Sequence, residues 1–227
     1  MAKKFYLILV LVILASGTVF AQGFPMNSLT VDIGPTIIGF AGPQFIKVMS
    51  EDSEDSFFGF GIGAQFERHL TQAVSLAARY AYLGFGLSVK DNNFIVDMDV
   101  KSHSAEGHVR FYPFAGRSFF LDGMIGYAWL SMGFESSDYS KTESLDLTAN
   151  YLKYGAKIGW KIDFGKPGGF ILEPSFGWNF KTMLNSSVAF DKIENEYDVN
   201  SREVADIAAD WIFVGGPRIS IALGFRF

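Results

Sequence analysis

The stretch Phe57-Phe58-Gly59-Phe60-Gly61-Ile62-Gly63-Ala64-Gln65-Phe66-Glu67-Arg68-His69-Leu70 alternates between two kinds of side chain. Phe58, Phe60, Ile62, Ala64 and Phe66 share one parity, and Gly59, Gly61, Gly63, Gln65, Glu67 and His69 share the other. Successive side chains of a strand point to opposite faces, so this stretch reads as a β-strand with one apolar face and one face of small and polar groups.

The same pattern recurs along the chain. Val74, Leu76, Ala78, Tyr80 and Tyr82 oppose Ser75, Ala77, Arg79 and Ala81. Ala105, Val109 and Phe111 oppose Glu106, His108, Arg110 and Tyr112. Further apolar faces are Phe119, Leu121, Ile125, Tyr127, Trp129; Leu152, Tyr154, Ala156, Ile158, Trp160, Ile162, Phe164; Phe170, Leu172, Phe176, Trp178, Phe180; and Ile219, Ile221, Leu223, Phe225, Phe227. A weaker first segment holds Leu29, Val31, Ile33 and Ile37, which makes about eight segments in all.

The gaps alternate in length. Leu70 to Ala73, Pro113 to Ser118 and Gly165 to Gly169 are short, and the last two are rich in Gly and Pro. Gly42 to Ser56, Lys90 to Asp99, Ser136 to Asn150 and Asn185 to Asp210 read as long polar loops. Such alternation predicts an all-β fold: an eight-stranded antiparallel up-and-down transmembrane β-barrel with short periplasmic turns and long extracellular loops.

Composition agrees with that reading. The 227 residues are 49% hydrophobic and 19% charged, so charge is sparse for a soluble surface. Beyond the N-terminus no apolar run approaches the roughly 18 residues of a spanning helix. The 24 Gly and 24 Phe residues argue against a helical bundle, since Gly weakens helices and Phe fits a pleated surface. A net charge of −5 argues against nucleic acid as a partner. The count of zero cysteines removes disulfides, thiolate metal sites and cysteine catalysis.

Residues 1–21 read as a signal peptide. Lys3 and Lys4 precede the apolar run Phe5 to Leu14, and Val19-Phe20-Ala21 offers a cleavage site after Ala21. Residues 22–227 are then the barrel.

Three features put the apolar face outside. The opposite face is mostly Gly, Ser and Ala, which suits the lumen of an eight-stranded barrel better than a water-facing surface. Aromatics sit at two levels of the apolar face: Phe119, Phe164, Phe170 and Phe227 by the short turns, and Tyr82, Trp129, Trp178 and Trp211 toward the loops. They are expected to form two girdles. The chain also closes on an alternating strand with Phe225 and Phe227, an expected signal for the barrel assembly machinery.

The stretches Val109-Arg110-Phe111-Tyr112-Pro113, Phe119-Phe120-Leu121, Gly126-Tyr127 and Leu223-Gly224-Phe225-Arg226-Phe227 resemble the small outer-membrane β-barrels of the OmpX, OmpW and OmpA-barrel type. The resemblance implies fold and location, the cell outer membrane of a Gram-negative bacterium, and carries no ligand site. It implies no peptidoglycan tether. Pro35, Pro174 and Pro217 fall inside strands and predict bulges or locally irregular pairing, because proline removes a ladder donor.

The inward parity places Asp32, Glu67, Arg79, Glu106, Arg110, Asp122, Lys157, Lys161, Glu173 and Arg218 in the lumen, mostly near the short turns. Isolated charges in a narrow lumen are costly, so these are expected to pair into a plug. The competing reading is a narrow channel or carrier for small amphiphilic molecules.

A membrane-embedded lipid hydrolase is a further alternative, because Ser102, His103, Ser104 and Glu106 cluster in sequence. Alternation puts His103 on the face opposite Ser104 and Glu106, so no catalytic site is expected. His69 and His108, beside Glu67 and Glu106, read as members of a polar network rather than metal ligands. No cofactor is expected. The acidic runs Glu51 to Asp55 and Asp191 to Asp210 read as solvated loops, with an extracellular ligand as the sharper alternative. The partners expected are outer-membrane lipid and the assembly machinery, with the barrel a monomer in a structural or surface-interaction role.

Overall fold

The computed structural model describes residues 27–33, 56–91, 94–114, 118–138, 141–164, 169–191 and 216–227. The expected signal peptide, Pro35, Trp211, the acidic run Glu51 to Asp55 and most of Asp191 to Asp210 lie outside the described residues.

The described segments form nine strands: β1 (Asn27–Asp32), β2 (Ser56–His69), β3 (Val74–Asp91), β4 (Phe94–Phe111), β5 (Phe119–Asp138), β6 (Lys141–Trp160), β7 (Ile162–Phe164), β8 (Phe170–Asp191) and β9 (Gly216–Arg226). Neighbours pair antiparallel in chain order, β8 pairs with β6, and β1 pairs with β9, so the sheet closes on itself. Closure removes free edges, the main liability of a sheet. β6 and β7 are one stave interrupted at Lys161, which makes a ring of eight. The seam is tight: a Cβ at Gly224 would collide with the Leu29 carbonyl oxygen, so only glycine lets β9 reach β1.

Of the two described strand prolines, Pro174 brings locally irregular pairing on one side, and neither makes a bulge between β8 and β9. β8 and β9 stay in one register from Phe170↔Phe225 to Asn179↔Gly216, straight through Pro174 and Pro217. The cost of Pro174 appears on its other side, where the β6–β7 stave breaks at Lys161, opposite Glu173 and Pro174. A proline has no N–H to give that neighbour. The register shift sits elsewhere: Asn150 pairs with Asn185 but Tyr151 pairs with Met183, leaving Leu184 as the extra residue of β8.

The long-loop expectation also needs correction. Lys90 to Asp99 and Ser136 to Asn150 are strand for almost their whole length. β3 and β4 pair from Val74↔Phe111 to Asp91↔Phe94, and β5 and β6 from Phe119↔Trp160 to Asp138↔Lys141. β8 likewise runs on to Asp191, within the expected fourth loop.

These extensions differ from the rest of the wall in polarity. Near the short turns the outward residues are apolar and exposed, as at Leu29, Leu76, Val109, Ile125, Ile158, Phe176 and Ile219, while Gln65, Arg79, Glu106 and Asp122 are buried inside. On β3, β4, β5, β8 and β9 this band spans roughly the 9–11 residues that a tilted strand needs to cross a bilayer. Beyond Tyr82, His103, Trp129, Leu152 and Phe180 the pattern inverts. Lys101, Asp99, Ser131, Glu135, Thr148, Asp146 and Ser187 face outward and are exposed. Inside, Val100, Ala128, Leu130, Leu147, Ala149 and Tyr151 form a buried apolar cluster, with Leu83, Phe85, Met98, Met132 and Met183 packed against it. Ile95 and Leu184 are exposed exceptions. One set of strands is therefore polar inside and apolar outside along one half, and the reverse along the other.

Candidate functional site: the charged lumen

All ten charged residues assigned to the lumen lie in the barrel interior, and ion pairs join them in two tiers. The lower tier, by the short turns, centres on Arg110, whose side chain is 0% exposed. Its guanidinium donates from Nε to Asp122 at 2.8 Å, from Nη1 to Glu67 at 2.7 Å, from Nη2 to Gln65 at 3.1 Å, and from both terminal nitrogens to Glu173 at 3.0 and 2.5 Å. The Phe120 ring lies under it, 4.4 Å from the guanidinium carbon. Every donor that a guanidinium offers in plane thus has an acceptor, which is the condition for burying it.

Glu67 is the acceptor hub of this tier. It also takes bonds from Lys161 Nζ, Ser75 Oγ and Tyr112 Oη, each at 2.5 Å, and from Ser28 Oγ at 3.4 Å. Lys161 is available because the stave is broken there; its backbone N–H bonds Ser118 at 2.5 Å. Lys157 Nζ stands 3.4 Å from Asp122.

The upper tier centres on Glu106. Arg79 reaches it at 2.9 Å, Lys153 at 3.0 Å and Arg218 at 3.1 Å. Arg79 also donates to Asp32 at 2.7 Å, and Arg218 stands 3.7 Å from the same carboxylate. His108 links the tiers, with Nδ1 2.9 Å from Asp122 and Nε2 3.4 Å from Glu106. A separate pair, Arg226 and Asp163 at 3.1 Å, ties the last strand to β7.

Lys153, Gln65, Ser28 and Tyr112 join this network without having been counted in it from sequence. Lys153 is legible in the sequence, since it shares the inward parity of Lys157 and Lys161. Gln65 and Tyr112 also share the inward parity, but an uncharged group does not demand an ionic partner as a buried charge does.

The candidate hydrolase group separates as alternation requires. His103 points outward, its Nδ1 2.7 Å from Tyr80 Oη and its ring 5.0 Å from Tyr82, while Ser104 and Glu106 face inward, 3.2 Å apart. His69 lies in the lumen with Nε2 3.6 Å from Glu67. Among the described residues no group of three metal-ligating side chains converges.

Outside, rings gather at both levels. By the short turns Phe119 meets Trp160 at 5.4 Å, and Phe170 meets Phe164 and Phe225, both at 5.7 Å. Toward the hairpins Tyr82, His103, Tyr127 and Trp129 cluster, and Tyr154 stacks on Phe180 at 5.6 Å. Trp178 is exposed beside them.

This is the architecture of a small outer-membrane β-barrel. Solved structures similar to it include Ail, the attachment invasion locus protein of Yersinia pestis, at 12% identity and a TM-score of 0.46, covering 90% of this chain and 99% of that one. Acinetobacter baumannii CarO is similar at 13% identity and 0.44, covering 77% and 97%. CarO2 of the same organism is similar at 11% and 0.47, covering 89% and 97%. At such identities no functional residue transfers to this barrel. No family model and no curated protein matches the sequence.

Proposed function

We propose that this barrel resides in the outer membrane, holds its lumen shut with the two ion-paired tiers, and carries a rigid β-platform beyond the bilayer for contact with the cell's surroundings. The observation that carries this reading is the inversion of polarity along β3 to β6 and β8. An apolar exterior is stable against lipid and a polar one against water, so the inversion marks where the strands leave the membrane. A protein needing only to span would stop at that line. Here the wall continues with its own apolar core, which keeps the polar outer face rigid.

The closed lumen is supported by the buried, multiply bonded Arg110, Glu67 and Glu106, which fill an interior that eight strands leave just wide enough for side chains. The exposed Phe225 and Phe227 of the closing strand fit recognition by the assembly machinery. The barrel acts as a monomer in this reading.

The test uses the absence of native cysteine. Single variants Thr148→Cys on the polar extension and Ile158→Cys on the apolar band are treated on intact cells with a membrane-impermeant maleimide. Thr148→Cys is expected to label and Ile158→Cys to stay unlabelled, with no steady conductance from the purified barrel in planar bilayers. Labelling of Thr148→Cys only after cell lysis would remove the surface role, and steady conductance would remove the closed lumen.

A further inference from the structure

Two outward glycines of the apolar band are not required by the packing of the fold. Gly126, Gly155, Gly177 and Gly224 are, because a Cβ at each would collide with the backbone of a neighbouring strand. At Gly123 a Cβ would meet nothing within 4 Å among the described residues, and at Gly107 only the Ile125 carbonyl oxygen at an ordinary 3.9 Å. Both glycines are exposed. Glycine inside a strand weakens it, and marks either a break in the strand's geometry or a place where another group approaches the backbone. Neither strand breaks here. β4 and β5 run unbroken through both positions and keep one register with each other and with β3 and β6. Close approach from outside is the reason that remains.

The wall around the two glycines has the shape for it. An open groove of about 820 Å³ lies over Gly107, Gly123 and Ala156. Leu76 and Val109 bound it on the side of the short turns, and Ile125, Tyr154 and Phe180 on the side of the hairpins. The rest of its lining is apolar or glycine except His108, whose ring bonds Asp122 in the lumen. The groove therefore offers contact to hydrocarbon and no counter-charge to an ion. Along β4 toward the hairpins, the next outward residue after Gly107 is Ala105, exposed and paired between Tyr80 and Tyr127. His103 follows, bonded to Tyr80 at 2.7 Å, with exposed Lys101 beyond it where the polarity of the wall inverts. From Gly107 to His103 is four residues, about 14 Å of strand and roughly 10 Å of depth at the usual tilt. A slot with a floor of small residues thus descends from the polar boundary to near the middle of the bilayer.

We propose that this slot holds one acyl chain of a lipid from the leaflet on the hairpin side, with its headgroup at the level of His103 and Lys101. The proposal rests on the outer-membrane reading above. A second copy of the barrel fits less well, because among the described residues twelve line the groove, short of the about 20–30 residues a side of a stable protein interface. A chain of methylenes fits because bare backbone lets it lie against the wall, and dispersion contact is lost steeply across a gap.

The probe is phosphatidylcholine carrying bromine midway along one acyl chain. The purified full barrel is reconstituted in vesicles of this lipid, extracted into mild detergent and weighed by native mass spectrometry. Crystals of the same preparation are measured for bromine anomalous scattering. The wild type is expected to retain one lipid, with bromine seated over Gly107 and Gly123. Gly107→Leu and Gly123→Leu fill the slot from the wall, so each should retain lipid about tenfold less, the loss of roughly two buried methylenes. Both should keep the heat-modifiable band, because their Cβ has room. If either variant fails to fold, the bromine position in the wild type decides. A wild type without retained lipid, undiminished retention in the folded variants, bromine outside the slot, or a second barrel seated on it would overturn the proposal. The outer-membrane reading fails on a different result, labelling of Ile158→Cys on intact cells, so the two failures are distinguishable.

Discussion

Arg110 of β4 grips Glu173 of β8 across the barrel, with Nη1–Oε2 at 3.0 Å and Nη2–Oε1 at 2.5 Å, although β5 and β6 stand between the two strands in the wall. The bidentate pair crosses the lumen and holds opposite walls at a fixed distance. A fork of this kind is geometrically specific in a way that an ammonium is not.

Arg110→Ala should therefore destabilise the barrel strongly. It leaves Glu173, Glu67 and Asp122 short of a cation in a buried place, at a cost of about 3–5 kcal/mol. Urea unfolding in lipid vesicles measures the loss. Conductance should stay near zero, because Phe120, Lys161 and the upper tier still fill the lumen. An open channel without loss of stability would contradict the account given to Arg110.

The closing strand gives a second prediction. Phe227 exchanges both backbone hydrogen bonds with Asn27, at 2.9 Å each way, so the last residue seals the seam. Deleting Phe227 should reduce the folded fraction, seen as a weaker heat-modifiable band on gels. A normal band would show that the seam closes without it. Gly224→Val should fail more completely, because no side chain fits against the Leu29 carbonyl.

The two faces of β6 are tested at adjacent positions. Ile158 is exposed on the apolar band and Lys157 is buried in the lumen. Arginine at Ile158 should cost about 2–4 kcal/mol near the bilayer midplane. Spin labels at Ile158 and Ile162 should be relaxed by oxygen, and a label at Lys157 should not. The opposite accessibilities would mean that lipid does not cover this face.

The polarity inversion predicts a reversal of that rule farther along the same strand. Leu147 is fully buried in the apolar cluster, and its neighbour Thr148 bonds Ser187 outside at 2.7 Å. Leu147→Ala should cost about 2–5 kcal/mol as a core truncation. Thr148→Ala should change stability by no more than about 0.5 kcal/mol, as at an exposed surface. Equal effects at the two positions would mean that the extension has no core of its own. Both are read by chemical denaturation.

Local alternation alone fixed the strands of the apolar band, their inward and outward parity, and ten of the charged members of the lumen, with Lys153 not counted among them. Side-chain period is a local property, so Glu67, Arg79 and Arg110 declare their face from their neighbours alone. The extensions were illegible for the same reason. On β5 the apolar parity passes from Tyr127 and Trp129 to Ala128, Leu130 and Met132, and a pattern that changes phase reads locally as a loop.

Tertiary structure decided that these stretches remain strand, because an apolar cluster drawn from several staves makes the inverted pattern stable. It also decided the partners. Arg110 meets Glu173 across 63 residues of chain, and Lys153 meets Glu106 across 47. Parity states that each charge is inside. Which charges meet depends on the stagger of the strands around the closed ring, and only closure sets that.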